Sequence, residues 1–206
     1  MPQEQGERLT PAVRTELAGL AERYGTPRLV SAHIGDAFFD PIKRPDRIGE
    51  VCMVIRRPSG KVLLAIKDFY PAGAYRLPTG GIDHGEPVLD ALLRETSEET
   101  GLDVEVRRFL AWIDYEGAGI GAGDEKISFH TFAFLMDEVG GTLGVRDPGE
   151  RILDFREVEV AELPAVAERL EGLGGLSSDI VGDWGDWGRF RAVVHRAVHD
   201  ALVDDS

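Results

Sequence analysis

The stretch 87–101 constrains this chain more than any other part of it. Pro87 suits the first position of a helix, and Gly101 suits a left-handed stop. The spacing therefore predicts a helix over 87–100. On it Glu95, Glu98 and Glu99 fall at i, i+3 and i+4, so all three carboxylates share one side. Like charges at such spacing repel by roughly 0.2–0.5 kcal/mol per pair. They also lie in the last two turns, where the helix dipole favours cations. Two separate effects thus disfavour the arrangement in an empty helix, and a bound divalent cation reverses both. Mg²⁺ takes hard oxygen ligands and shares its shell among carboxylates, waters and substrate phosphates. A bare run of acidic residues is usually a solvated face, so the residues around this one decide its meaning.

Strand and helix signals surround that segment. Thr10 can cap a helix starting at Pro11, with Val13, Leu17, Leu20 and Ala21 on one side and Gly25 as its stop. A short strand is expected over 28–34 and a Pro-containing linker over 40–47. The segment 49–66 reads as a hairpin turning at Pro58, Ser59 and Gly60. Its first strand, 51–55, is apolar on both faces, as a covered strand should be. Loop is expected over 70–81, around a short strand at Tyr75, Arg76 and Leu77. Further strands are expected over 104–115, 127–137 and 155–160, with helices over 163–170 and 190–203. Two Gly-rich breaks, 116–125 and 172–188, separate them. Strands and helices interleave with hairpins, so the expected class is mixed α/β. The chain divides into an N-terminal extension (1–45), a central domain (46–172) and a C-terminal helical tail (173–206).

The residues framing the three glutamates form a longer pattern. Gly80 is followed after five residues by Glu86, and after seven more by Arg94 and Glu95, then Glu98, Glu99, Gly101 and Leu102. This resembles the Nudix box of the Nudix hydrolases, G-x5-E-x7-R-E-U-x-E-E-x-G-U, where U is a bulky aliphatic residue. Every fixed polar and glycine position is met, and the one departure is Thr96 at the first U. Threonine has valine's volume but must satisfy a hydroxyl, which can donate to the carbonyl of Leu92 one turn back.

The resemblance implies a mixed sheet sandwiched by helices. It implies that Glu95, Glu98 and Glu99 bind an activating Mg²⁺, for which Mn²⁺ can substitute, and that one of them helps deprotonate water. The Thr79 carbonyl is implied as a further metal ligand. Arg94 and Glu86 should pair, and Gly80 should permit a tight loop. The implied activity is hydrolysis of a phosphoanhydride in a nucleoside diphosphate linked to another moiety, or in a related small nucleotide. In some members a loop glutamate is the base. Glu125 is the choice here, with Glu116, Asp124 and Glu150 as other loop carboxylates. Isopentenyl-diphosphate isomerase shares the fold, but it needs a cysteine and upstream motifs that this chain does not display. A ligand sensor without catalysis is the other alternative, and retention of every box carboxylate argues against it. The marks of the subfamilies acting on ADP-ribose, dinucleoside polyphosphates or NADH are not evident.

Composition narrows the partners. The 206 residues are enough for one buried core plus appendages. With 37 acidic and 23 basic residues the formal charge is −14, a field that repels polyanions. Nucleic-acid polymers are therefore not expected as partners, whereas a small nucleotide-like phosphate screened by a metal is. No apolar run approaches membrane-spanning length, so no membrane partner is expected. A homodimer is compatible with the sequence. One cysteine, Cys52, and the absence of a visible signal segment lead to an expected cytoplasmic location.

Other residues invite functional readings. Arg76 can reach a phosphate, and Tyr115 or Trp112 can stack on a base, although packing is the commoner role of such aromatics. His195 and His199 lie one helical turn apart without a third ligand, so a solvated helix face is expected rather than a zinc site. Trp184 and Trp187 should pack the tail onto the body, and Cys52 should be an inert core thiol.

Overall fold

In β2 (Gly49–Arg56) every residue but the last is buried, and successive side chains serve opposite faces of a sheet. Val51, Met53 and Ile55 join one apolar cluster, whereas Cys52 and Val54 join another. Such a strand requires cover on both sides, and the computed structural model supplies it. It describes residues 9–34, 49–117, 127–176, 180 and 182–204. The other strands are β1 (Arg28–His33), β3 (Val62–Lys67), β4 (Thr79–Gly81), β5 (Leu102–Gly117), β6 (Ile127–Gly141) and β7 (Ile152–Val158). They form one sheet in the order β1-β5-β6-β2-β3-β7, with β4 paired to β2. The sheet is mixed: β1/β5 and β2/β6 are parallel, and the remaining pairs are antiparallel.

Helices α1 (Pro11–Tyr24) and α2 (Val88–Thr100) cover one face through Leu17, Leu20, Val88, Ala91 and Leu92. Helices α3 (Leu163–Glu171) and α4 (Trp184–Val203) cover the other through Leu163, Leu170, Trp187, Phe190 and Val198. The expected helix–sheet–helix sandwich is thus observed. Among the described residues no helix is long and apolar enough to cross a membrane.

Elements from both segments set apart in sequence as extensions, 1–45 and 173–206, join the core. β1 pairs with β5, and α4 buries one side against the sheet. The C-terminal helix begins six residues earlier than the glycine pattern suggests. Asp183 caps it by accepting from the Gly185 amide at 2.7 Å. Gly188 lies inside α4 because a Cβ there would fall 2.0 Å from the Leu170 carbonyl oxygen, so glycine permits close helix packing. The expected packing role of Trp184 and Trp187 holds, since both are buried beside Tyr70.

Candidate active site and metal centre

α2 runs from a cap at Pro87 to a left-handed Gly101, whose amide donates to the Ser97 carbonyl. Its buried side holds Thr96, whose hydroxyl donates to the Leu92 carbonyl at 2.7 Å, as the sequence suggests. The same helix turns Glu95 inward over β4. A Cβ on Gly80 would lie 2.1 Å from the Glu95 carboxyl carbon. Gly80 is therefore required for space beneath Glu95. It sits in an extended strand, not in the tight loop expected of it.

Arg94 organises the outer part of the site. Its Nε and Nη2 donate to the two carboxylate oxygens of Glu86, each at 2.8 Å, and Nη2 also donates to the Gly81 carbonyl. Its Nη1 donates to Glu95 at 2.8 Å and to Glu98 at 3.1 Å. The Glu86 carboxylate further accepts from the Asp83 amide, which fixes the loop ahead of the helix. The Arg94 hydrogen bonds hold the Glu86 carboxyl below its ordinary value.

A second segment closes on the helix from the far side. The Arg146 and Asp147 amides donate to the Glu98 carbonyl, and the Arg146 guanidinium donates to Ser97 and to the Gly101 carbonyl. A cation at this end also suits the helix dipole. The chain then makes a 3-10 turn, Pro148–Glu150, capped by Asp147. Arg151 ends the turn with φ 56°, the one positive φ among described non-glycine residues. Its carbonyl accepts from the Asp68 amide, and its guanidinium pairs with Asp68 at 2.8 Å. The Arg146 and Asp147 amides on the Glu98 carbonyl hold the segment, and Glu150 with it, against α2. Ligand atoms of Glu95, Glu98 and Glu150 all lie within 4.8 Å of one another.

Glu99 is deeper. It is 1% exposed, and neither carboxylate oxygen has a hydrogen-bond partner. Lys67 Nζ lies 3.7 Å away. Burial pushes the Glu99 carboxyl up to about 7, against the pull of Lys67 and Arg76. Burial likewise raises the Glu95 carboxyl, against the pull of Arg94. A buried carboxylate without a donor costs free energy unless something positive meets it. The converging carboxylates are Glu95, Glu98 and Glu150, with Glu99 not among them although it was expected to be; as hard oxygen donors they suit a divalent ion such as Mg²⁺ or Mn²⁺.

The match to known sequences agrees with this arrangement. The NUDIX domain model covers residues 46–173. The chain belongs to the Nudix family. It is 31% identical to an NAD-capped RNA hydrolase, NudC, of Vibrio atlanticus (strain LGP32) over 59% of this chain and 41% of that one. It is 36% identical to an RNA pyrophosphohydrolase of Cereibacter sphaeroides (strain KD131 / KCTC 12085) over 37% of this chain and 49% of that one. The chain thus spans less than half the length of these relatives. A solved MutT Nudix hydrolase from Burkholderia pseudomallei is 27% identical, covering 56% of this chain and 84% of its own, with a TM-score of 0.41.

Other expected Nudix site residues land differently. Arg76 is 4% exposed rather than at the surface. It donates to the Tyr70 hydroxyl, the Leu77 carbonyl and the Thr79 hydroxyl. Tyr115 is corrected from a base-stacking role to a core residue. It is 1% exposed, with its ring 4.4 Å from that of Phe190. His195 is likewise not on a solvated face. It is fully buried, its Nε2 accepts from the Leu77 amide at 3.0 Å, and its Nδ1 meets the Arg191 carbonyl at 2.8 Å. Burial lowers its pKa to about 4, so the ring is neutral near pH 7. Cys52 is a fully buried thiol, as expected, and burial raises its pKa. Glu125 lies outside the described residues.

Three contributors were not found by sequence reasoning. Lys67 pairs with Glu150, and a buried Glu50–Arg191 pair at 2.6 Å lies beside Thr79. A glutamate inside the otherwise apolar start of β2 was the available signal for the latter.

Arg94→Ala is expected to destabilise the protein by about 2 kcal/mol, the scale of hydrogen bonds to charged groups. Because Arg94 depresses the Glu86 pKa, the pair stabilises above the ordinary carboxylate range and is lost as pH falls through the lowered value. Urea unfolding at pH 7 and pH 3 checks this. Equal stability at pH 7, or a difference that widens in acid, contradicts it.

Proposed function

We propose that this chain is a divalent-metal-dependent hydrolase of a phosphoanhydride bond in a nucleoside diphosphate linked to another moiety, or in a related small nucleotide. The observation that carries the reading is the buried, donor-free Glu99 carboxylate beside the converging Glu95, Glu98 and Glu150. Glu95, Glu98, Glu99 and Glu150, with the Thr79 carbonyl, would hold Mg²⁺ or Mn²⁺. When bound, such an ion neutralises phosphate oxygens and lowers the pKa of its water. Arg94 orients Glu95 and Glu98, and Arg76 fixes Thr79 beside Gly80. One of the Glu95, Glu98 and Glu99 carboxylates would accept the proton of the attacking water at an oxygen. Glu125, on the segment between β5 and β6, is the alternative base.

Two relatives are named for RNA substrates. RNA 5′ ends therefore belong in the test, although a charge of −14 disfavours grip on a long polyanion. The experiment is a phosphate-release screen over nucleotide sugars, dinucleotides, nucleoside triphosphates and 5′-capped RNA. Turnover should vanish with chelator and return with Mg²⁺ or Mn²⁺. Full turnover after exhaustive metal removal rejects the proposal. Tight binding of a screened compound without any turnover favours the ligand-sensor reading.

A further inference from the structure

Lys67 is the last residue of β3, a strand paired with β2 on one side and β7 on the other. Its ammonium lies 2.9 Å from Glu150 Oε2 and 3.7 Å from Glu99 Oε1, and its side chain is only 18% exposed. Glu150 is also one of the three carboxylates that converge within 4.8 Å. The same carboxylate thus faces a resident cation on one side and the candidate metal position on the other. Glu99 is nine-tenths buried and more, has no hydrogen-bond donor among the described residues, and pairs with Lys67 only at 3.7 Å, beyond hydrogen-bond reach.

We propose that Lys67 is a built-in counter-cation that competes with the divalent ion for Glu150 and Glu99, and so sets the metal concentration at which the centre fills. The inference rests on the metal-centre reading above. Without metal, the ammonium offsets carboxylate repulsion that otherwise opposes folding. With metal, two cations face the same oxygens, and the one tethered to the chain must yield. At Lys67 the backbone pairs with Ile152 of β7 and its carbonyl accepts from the Tyr70 amide, so the side-chain torsions are the freer way for the ammonium to leave. Arg94 does the equivalent for Glu95 and Glu98, but its bidentate hold on Glu86 anchors it outside the cluster. Among the described residues the partners of Lys67 are Glu150 and Glu99, both site carboxylates, so it has no such second anchor there.

Calorimetric titration of Mn²⁺ into metal-free wild type, Lys67→Met and Lys67→Arg tests the idea, beside thermal melting without metal and circular dichroism. Lys67→Met is expected to bind Mn²⁺ at least about tenfold more tightly, or about 1.4 kcal/mol, and to melt lower than wild type when metal-free. Lys67→Arg keeps the charge and should stay near wild-type affinity. Unchanged or weaker Mn²⁺ binding by a folded Lys67→Met overturns the inference. Equal tightening in both variants overturns it too, because packing rather than charge would then be the cause. If Lys67→Met does not fold, Lys67→Gln carries the same expectation. A wild type that binds no Mn²⁺ overturns the metal-centre reading itself, and is thereby distinguished from failure of the Lys67 inference alone.

Discussion

Glu99→Gln is expected to lower the maximal rate at least about a hundredfold, equivalent to roughly 2.7 kcal/mol of barrier, while the fold survives. The change is nearly isosteric, and it removes both a negative ligand and one of the three carboxylates proposed to take the proton. Its effect on stability should depend on pH. The folded-state pKa of Glu99 is raised to about 7 from an ordinary 4.5, so its contribution is fully present below about pH 4.5 and is lost as pH rises through 7. That shift corresponds to about 3 kcal/mol. A buried amide without partners takes back about 1–3 kcal/mol of any gain. Metal-free Glu99→Gln should therefore melt slightly above wild type at pH 8, with the difference fading by pH 4.5. The measurements are turnover at saturating Mg²⁺ on the best substrate of the screen, and thermal melting of both proteins in chelator. Unchanged turnover would remove Glu99 from the site. A stability gain confined to acid would show that its carboxylate is not held against desolvation.

Arg191→Met is expected to give the largest loss of stability, about 3–5 kcal/mol. The Arg191 and Glu50 side chains are 6% and 5% exposed, and they meet at 2.6 Å. Removing the guanidinium leaves the Glu50 carboxylate buried, with the Thr131 hydroxyl as its side-chain donor among the described residues. The companion change Glu50→Gln should recover part of the loss, because much of the penalty comes from the abandoned charge. Turnover should fall in Arg191→Met as well, since Nη1 also donates to the Thr79 hydroxyl at 3.0 Å, next to Gly80. Denaturant unfolding of the two single variants and the double variant forms a complete cycle. An Arg191→Met protein within about 1 kcal/mol of wild type would show that water reaches the pair and solvates it.

The α2 segment was legible because its constraints are local. Gly101 and the Thr96 hydroxyl act within a few residues and behave as the spacing requires, whereas Pro87 sits just outside the helix as its cap rather than at its first position, and Glu99 lies deeper than the converging Glu95 and Glu98. The layer architecture was legible too, because β2 announces its burial through an unbroken apolar run. What was hidden depends on partners distant in sequence. The histidine at 195 looks solvated on its own helix, but it meets the Leu77 amide 118 residues away. Tyr115 shares its strand with Trp112, and only the arrival of Phe190 decides that its ring is core. Gly80 and Gly188 read as loop glycines until the atoms they make room for are placed. Glu150 stood among several loop carboxylates, and it is the docking of the Arg146 and Asp147 amides on the Glu98 carbonyl, distant in sequence, that places it beside α2.

The Glu50–Arg191 pair joins residues 141 positions apart. A ribosome adding roughly 5–20 residues per second needs about 7–28 s to travel from one to the other. Throughout that interval β2 carries a carboxylate whose countercharge has not yet been made, and the His195 ring that will receive the Leu77 amide is missing as well. The face of the sheet beneath α4 therefore cannot close until α4 has been made. Maturation of this centre is a late event, timed by the emergence of the C-terminal helix rather than by completion of the segment that carries the glutamates.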